Sequence, residues 1–241
     1  MVFSRIMHRC STVFPKIYHH PFNQKLYEGF LSRTTFRLYL EQDELYLREL
    51  SYALGLTSLR CSNQVYAKQL RGVSAYIKET ERKFHLKYLA ESPAVTFFNH
   101  KAIRKKIPVI ASYTDYLLDN AKHAPIEVAV ASFLPCPMIY RELGKRMDLT
   151  TCALDHPYRR WMASYSSENF ISATKTITQI TQELTEPLMC PLQQERVVSS
   201  FTQSAEFEWQ FFEAVFTGEK GYTVVHDNNR CAPWKAEGRG E

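Results

Sequence analysis

Glycine is scarce in this chain and crowded at one end: of 241 residues eight are glycine, and Gly218, Gly221, Gly238 and Gly240 fall in the last 24. Residues 1–217 hold only Gly29, Gly55, Gly72 and Gly144. Sandwiches, barrels and dinucleotide-binding sheets need glycine at hairpin turns and phosphate loops, so these folds are all but excluded. The chain is expected to be mostly helix. With 45% hydrophobic and 23% charged residues its composition is globular rather than disordered, and its length suits one large domain.

The longest nearly apolar run, residues 128–140, is interrupted by Ser132, Pro135 and Pro137 and is too short to cross a bilayer. The net charge of +5 comes from 30 basic and 25 acidic residues that are interspersed, and clusters such as Arg104-Lys105-Lys106 read as solvated helix faces. Neither a membrane nor a nucleic acid is expected as a partner. Cys10, Cys61, Cys136, Cys152, Cys190 and Cys231 are scattered without zinc or redox spacing, which points to free thiols in a reducing compartment, the cytoplasm. No acid precedes Glu28, while Arg5, Arg9, Lys16 and Lys25 do. This basic start resembles a transit-peptide-like leader but lacks the apolar centre of a secretory signal, and residues 1–19 are expected as a disordered or loosely docked extension.

Capping and proline signals divide the rest into helices. Ser32 opens one reaching about Leu56, and a long second runs from Cys61 to about Leu89 before the Glu91-Ser92-Pro93 break. Pro108 and Pro125 open the next two, and His156-Pro157 a short one to about Tyr165. Ser166 or Ser167 caps another through Leu184, and Pro191 precedes the last, from about Leu192 to Phe216. The expectation is one compact all-α bundle of seven or eight helices, with a polar tail over 217–241.

Three seams with steps of four and three stand out. They are Phe36, Leu40, Asp43, Leu47, Leu50, Leu54; Val197, Phe201, Ser204, Glu208, Phe211, Val215; and Ala129, Phe133, Cys136, Tyr140, Leu143, Met147. Shorter seams add Ile110, Tyr113, Leu117 and Tyr158, Trp161 or Met162, Tyr165. Two acids and one thiol therefore occupy inward positions on separate helices, with tyrosines among them. Burying an unpaired carboxylate costs several kcal/mol, so these groups must be paired, protonated or solvating a ligand. Taken singly, each has a plainer role: a register-setting polar group, a small buried thiol, core aromatics. Their convergence favours chemistry. Leu134-Pro135-Cys136-Pro137 removes two helical N–H donors, so the helix kinks or restarts there. A restart at Pro137 would set Cys136 against free backbone N–H groups, which lower a thiol's pKa.

A buried thiol, two carboxylates and aromatic walls suit attack on a flat, nitrogen-rich ring. An acid protonates a ring nitrogen, the thiolate adds to the adjacent carbon, and a leaving group departs from the adduct. At these residues the sequence resembles the TenA/thiaminase II family. The likeness rests on His20-Pro21-Phe22, Gln42-Asp43-x-x-Tyr46-Leu47, Tyr113-Thr114-x-Tyr116-Leu117, Leu134-Pro135-Cys136-x-x-x-Tyr140, Trp161-x-x-x-Tyr165 and Phe207-Glu208-x-x-Phe211, and covers residues 20–216. It implies a heme-oxygenase-like all-α fold, a homotetramer, and no metal or organic cofactor. The implied reaction is hydrolysis of thiamin-derived aminopyrimidines such as 4-amino-5-aminomethyl-2-methylpyrimidine, or of thiamin itself, in thiamin salvage. Carried onto this chain, it makes Cys136 the nucleophile and Glu208 the proton donor and acceptor. Asp43 would hold the amino and ring-nitrogen side, and Tyr113 and Tyr165 would orient thiol and substrate. Tyr46, Tyr140 and Phe211 would shape the ring pocket. Glu44-Leu45 and Phe212 depart from the family pattern, which bears on pocket shape and preferred substrate.

Two other classes compete. A di-metal oxygenase on the same scaffold needs clustered His and carboxylate ligands, for which Glu81/His85 and Asp119/His123 are isolated i, i+4 pairs. A non-catalytic regulatory bundle would be indifferent to loss of the Cys136 thiol.

Overall fold

The computed structural model describes residues 2–91, 105–147 and 149–218, and the tail expected from 217 onward lies outside them beyond Gly218. Among the described residues there are helices and turns and no strand. Each expected helix forms. Ser32 Oγ accepts from Thr35 N at 3.0 Å and opens α4, Arg33–Arg60. Asn63 Oδ1 accepts from Val65 N and Tyr66 N, so the second long helix starts at Gln64 rather than Cys61. That helix is not continuous: α5, Gln64–Tyr76, passes through a π-helical turn, Ile77–Glu81, into α6, Arg82–Glu91. A π turn adds backbone to the helical circuit and swings the side chains that follow. Pro108 opens α7, Pro108–His123, while α10, Arg159–Ser164, and α11, Glu168–Thr185, follow as expected, the latter capped by Ser167. The last helix, α12, is Pro191–Thr217.

The proline pair acts as the sequence requires, with the helix restarting at Pro135, two residues earlier than Pro137. Helix α8, Ile126–Phe133, ends at Leu134, and α9, Pro135–Arg146, restarts with proline in its first turn. Leu134 keeps right-handed helical angles (φ −73°, ψ −33°), so the apolar register carries through the break. All six positions of that seam are buried, as are all positions of the Asp43 and Glu208 seams. Helix α4 lies against α5 and α7, and α12 against α7, α8 and α9, which brings the three seams to one centre.

Residues before Tyr27 depart from expectation. Instead of a loose extension, α1, Val2–Arg9, and α2, Val13–Tyr18, lie along α12, and α3, Pro21–Tyr27, follows. Val2, Ile6, Cys10, Val13, Phe14 and Ile17 are buried, and the Phe14 ring meets Phe201 edge-on at 6.2 Å. The basic residues that made this stretch resemble a leader have a partner: Arg5 Nη2 pairs with Glu195 Oε2 at 2.6 Å, and Arg9 pairs with the same carboxylate. Among the described residues no helix is long and apolar enough to cross a membrane.

One close approach shapes the interior. An added Cβ on Gly144 in α9 would lie 2.8 Å from Tyr165 Cβ and 3.2 Å from the Tyr165 backbone. Backbone cannot yield as a side-chain tip can. Gly144→Ala is expected to cost about 1–3 kcal/mol, the usual penalty of overpacking, and to move Tyr165. A denaturant titration that gives the variant wild-type stability would refute this.

Candidate active site

The seams enclose a cavity of about 250 Å³. Helix α4 supplies Tyr39, Asp43 and Leu47; the end of α5, the π turn and α6 supply Tyr76, Thr80, Glu81, Phe84 and His85. Cys136 and Tyr140 come from α9, Trp161, Ser164 and Tyr165 from α10 and its end, and Phe170 from the start of α11. The walls are largely aromatic. The carboxyls of Asp43 and Glu81 face the interior, and no lysine or arginine lines it among the described residues.

The residues expected at the site form two layers. Cys136, Asp43, Tyr140 and Tyr165 line the cavity. Glu208, Tyr113, Tyr46 and Phe211 stand behind that wall, all of them buried. The layers are joined by hydrogen bonds. Tyr113 donates to Glu208 Oε1 at 2.9 Å and Tyr46 donates to Tyr113 at 3.3 Å, with the Cys136 thiol close to the Glu208 carboxyl. On the other side Tyr39 donates to Tyr140 at 2.9 Å, and Trp161 Nε1 donates to the Tyr165 hydroxyl. Phe211 stacks on Tyr39 at 5.4 Å, so it supports the wall through that ring.

Burial dominates the electrostatics. It lifts Asp43 well above the usual carboxylate range, and the nearby acids Glu208, Glu81 and Glu44 lift it further. Glu208 is raised to about 7, with burial pushing up and the bonds to Tyr113 and Cys136 pulling down. Glu81 also reaches about 7, with burial opposed by a hydrogen bond from Tyr76. His85 falls to about 3 through burial and is neutral.

The Cys136 thiol is raised well above its ordinary value by burial and by the Glu208 and Asp43 charges. This corrects the expectation of a helix-stabilised thiolate. Cys136 does lie in the first turn of α9, but a helix terminus contributes about 0.3–1 kcal/mol, whereas burying an uncompensated charge costs several. The resting group is a thiol, and its proton must go to a base. Glu208 stands close to it, raised to about 7.

The pocket also holds residues that sequence reasoning missed. Tyr39 lies one helical turn before Asp43 and shares its face. Glu81 and His85 were visible only as a spaced pair. His85 Nδ1 lies 3.3 Å from Asp43 Oδ2 yet outside hydrogen-bonding geometry. Among the described residues no three His, Cys, Asp or Glu side chains are grouped as a metal ion would require.

With this geometry in hand, likeness to known proteins is informative. Residues 11–217 match the model of the TENA/THI-4/PQQC family. The chain is 26% identical over 201 residues to an aminopyrimidine aminohydrolase of Helicobacter pylori, covering 82% of this chain and 90% of that one. It is 30% identical over 193 residues to the thiamine biosynthesis multifunctional protein ThiED of Corynebacterium efficiens, covering 80% of this chain but only 25% of that longer protein. Among solved structures, a TenA family protein of a Silicibacter species superposes with a TM-score of 0.80 at 22% identity, covering 90% of this chain and 97% of that one. A TenA homologue of P. horikoshii gives 0.76 at 23%, covering 90% and 99%. At that identity the structures speak for the all-α fold.

Proposed function

This chain belongs to the TENA/THI-4/PQQC family, and on that premise we propose that it is an enzyme hydrolysing thiamin-derived aminopyrimidines through a covalent adduct on Cys136, with a role in thiamin salvage. The observation that carries the reading is the position of the Cys136 thiol, on the cavity wall beside Asp43 and close to the buried Glu208 carboxyl behind it.

The roles follow from the protonation states. Asp43, whose carboxyl burial and neighbouring acids push toward the protonated form, donates to a ring nitrogen and makes the adjacent carbon electrophilic. Glu208 accepts the thiol proton, and Cys136 Sγ bonds to that carbon. The electron pair of the exocyclic carbon–nitrogen bond leaves with the amine. Water then adds to the methylene carbon, its proton passing to the released ammonia, the ring nitrogen returns its proton to Asp43, and the carbon–sulfur bond breaks as Glu208 returns the proton that restores the thiol. Tyr140 and Tyr165, meeting edge-to-face at 5.2 Å, hold the ring in plane, and Tyr113 keeps Glu208 aimed at sulfur through its 2.9 Å hydrogen bond. Assembly as a homotetramer in the cytoplasm belongs to the same proposal.

An ammonia-coupled assay with 4-amino-5-aminomethyl-2-methylpyrimidine, run beside a thiamin-cleavage assay, tests the reading. Ammonia release from the first substrate is expected. Folded protein that turns over neither compound would refute it.

A further inference from the structure

The mechanism leaves one cavity-lining acid without a task. Asp43 serves the ring and Glu208 serves the thiol, but Glu81 also faces the cavity, from the π turn that interrupts the α5–α6 rod. Tyr76, which also lines the cavity, stands close to it. No lysine or arginine lines the cavity to balance it, among the described residues. His85, one helical turn further on and 7% exposed, also lines the cavity; its Nδ1 has no hydrogen-bond partner and lies 3.3 Å from Asp43 Oδ2. Phe84 and Trp161, stacked on each other at 5.7 Å, form the aromatic wall next to it.

We propose that Glu81 is a specificity-determining residue that receives the positively charged exocyclic nitrogen of the substrate, so that the pocket prefers an aminomethyl to a hydroxymethyl substituent. The assignment rests on the reading of the cavity as an aminopyrimidine site. An alkylamine is an ammonium ion at neutral pH, and a carboxylate beside it keeps it so until the carbon–nitrogen bond breaks. The bonding pair then leaves with nitrogen as neutral ammonia, with no proton demanded of the protein. The hydroxymethyl product carries no charge, loses the ion pair, and is released.

The test measures binding by calorimetry in the Cys136→Ser background, where ligand is not consumed. The aminomethyl pyrimidine and its hydroxymethyl counterpart are compared with Glu81 intact and in Glu81→Gln. The amine is expected to bind about 10- to 100-fold more weakly to Glu81→Gln, as loss of a charge-assisted hydrogen bond predicts. The alcohol should change by less than about twofold, well inside what a neutral contact contributes. Equal weakening of both ligands, or an unchanged amine, would overturn the proposal. Tyr76→Phe provides a second variant should Glu81→Gln fail to fold: a smaller loss confined to the amine is expected, and an unselective effect overturns the assignment. If protein with Glu81 intact binds neither pyrimidine, the functional reading itself falls and carries this assignment with it.

Discussion

Cys136→Ser lowers kcat by at least about 10³-fold on both the aminopyrimidine and thiamin, the scale of loss seen when a covalent nucleophile is removed. A serine hydroxyl is a far weaker acid than a thiol, so a carboxylate titrating at about 7 such as Glu208 cannot ionise it. The exchange is nearly isosteric at a site 8% exposed, so the fold should persist and the substrate should still bind. The informative measurement pairs single-turnover kinetics with intact-protein mass spectrometry. Wild type should show a transient adduct of pyrimidine mass, and the variant none. A serine variant with wild-type turnover would remove sulfur from the mechanism and favour a non-covalent route in the same cavity.

Glu208→Gln is expected to lower kcat by about 10²- to 10⁴-fold, the range attributed to a positioned acid–base group. The amide keeps the size of the side chain and can still accept from Tyr113, so packing changes little. It cannot take a proton from sulfur. The pH profile separates the loss of proton transfer from a loss of shape. A carboxyl raised above its ordinary value to about 7 is protonated below that pH and ionised above it. The base is therefore missing in acid, and the wild-type rate climbs with pH through neutrality. Glu81 titrates in the same range, so the decisive comparison is variant against wild type rather than the midpoint alone. The residual rate of Glu208→Gln should lose the part of the rise that comes from ionising Glu208. A variant with wild-type kcat and an unaltered profile would reassign the proton to another group.

How legible these features were depends on the range of the forces that set them. The inward facing of Phe36, Leu40, Asp43 and Leu47, and of the seams through Cys136 and Glu208, could be read because helical periodicity is local and apolar steps of three and four record it. That one acid lines the cavity while another backs it could not. Asp43 and Glu208 have the same pattern around them, and only the approach of α9 and α7 assigns them to different layers. The π turn left no mark in composition or periodicity, so Glu81 stood out only through its spacing to His85. The thiol's pKa was misjudged because the nearest influence, a helix terminus, is weaker than burial beside acids distant in sequence. The docking of α1 was hidden for a similar reason: the carboxylate that answers Arg5 and Arg9 is Glu195 in the last helix.

That docking has a practical consequence. Helix α12 carries Glu208 and Phe211, and its outer side is covered by the first two helices, with Phe14 against Phe201 and Cys10 Sγ 3.9 Å from Thr202 Oγ1. Trimming the chain to begin near His20, as its leader-like basic start invites, would strip this cover and leave an apolar stripe open to water. The shortened protein would be prone to clump and to lose shape on mild heating, and its idle preparations would be easily mistaken for evidence that the chain performs no chemistry.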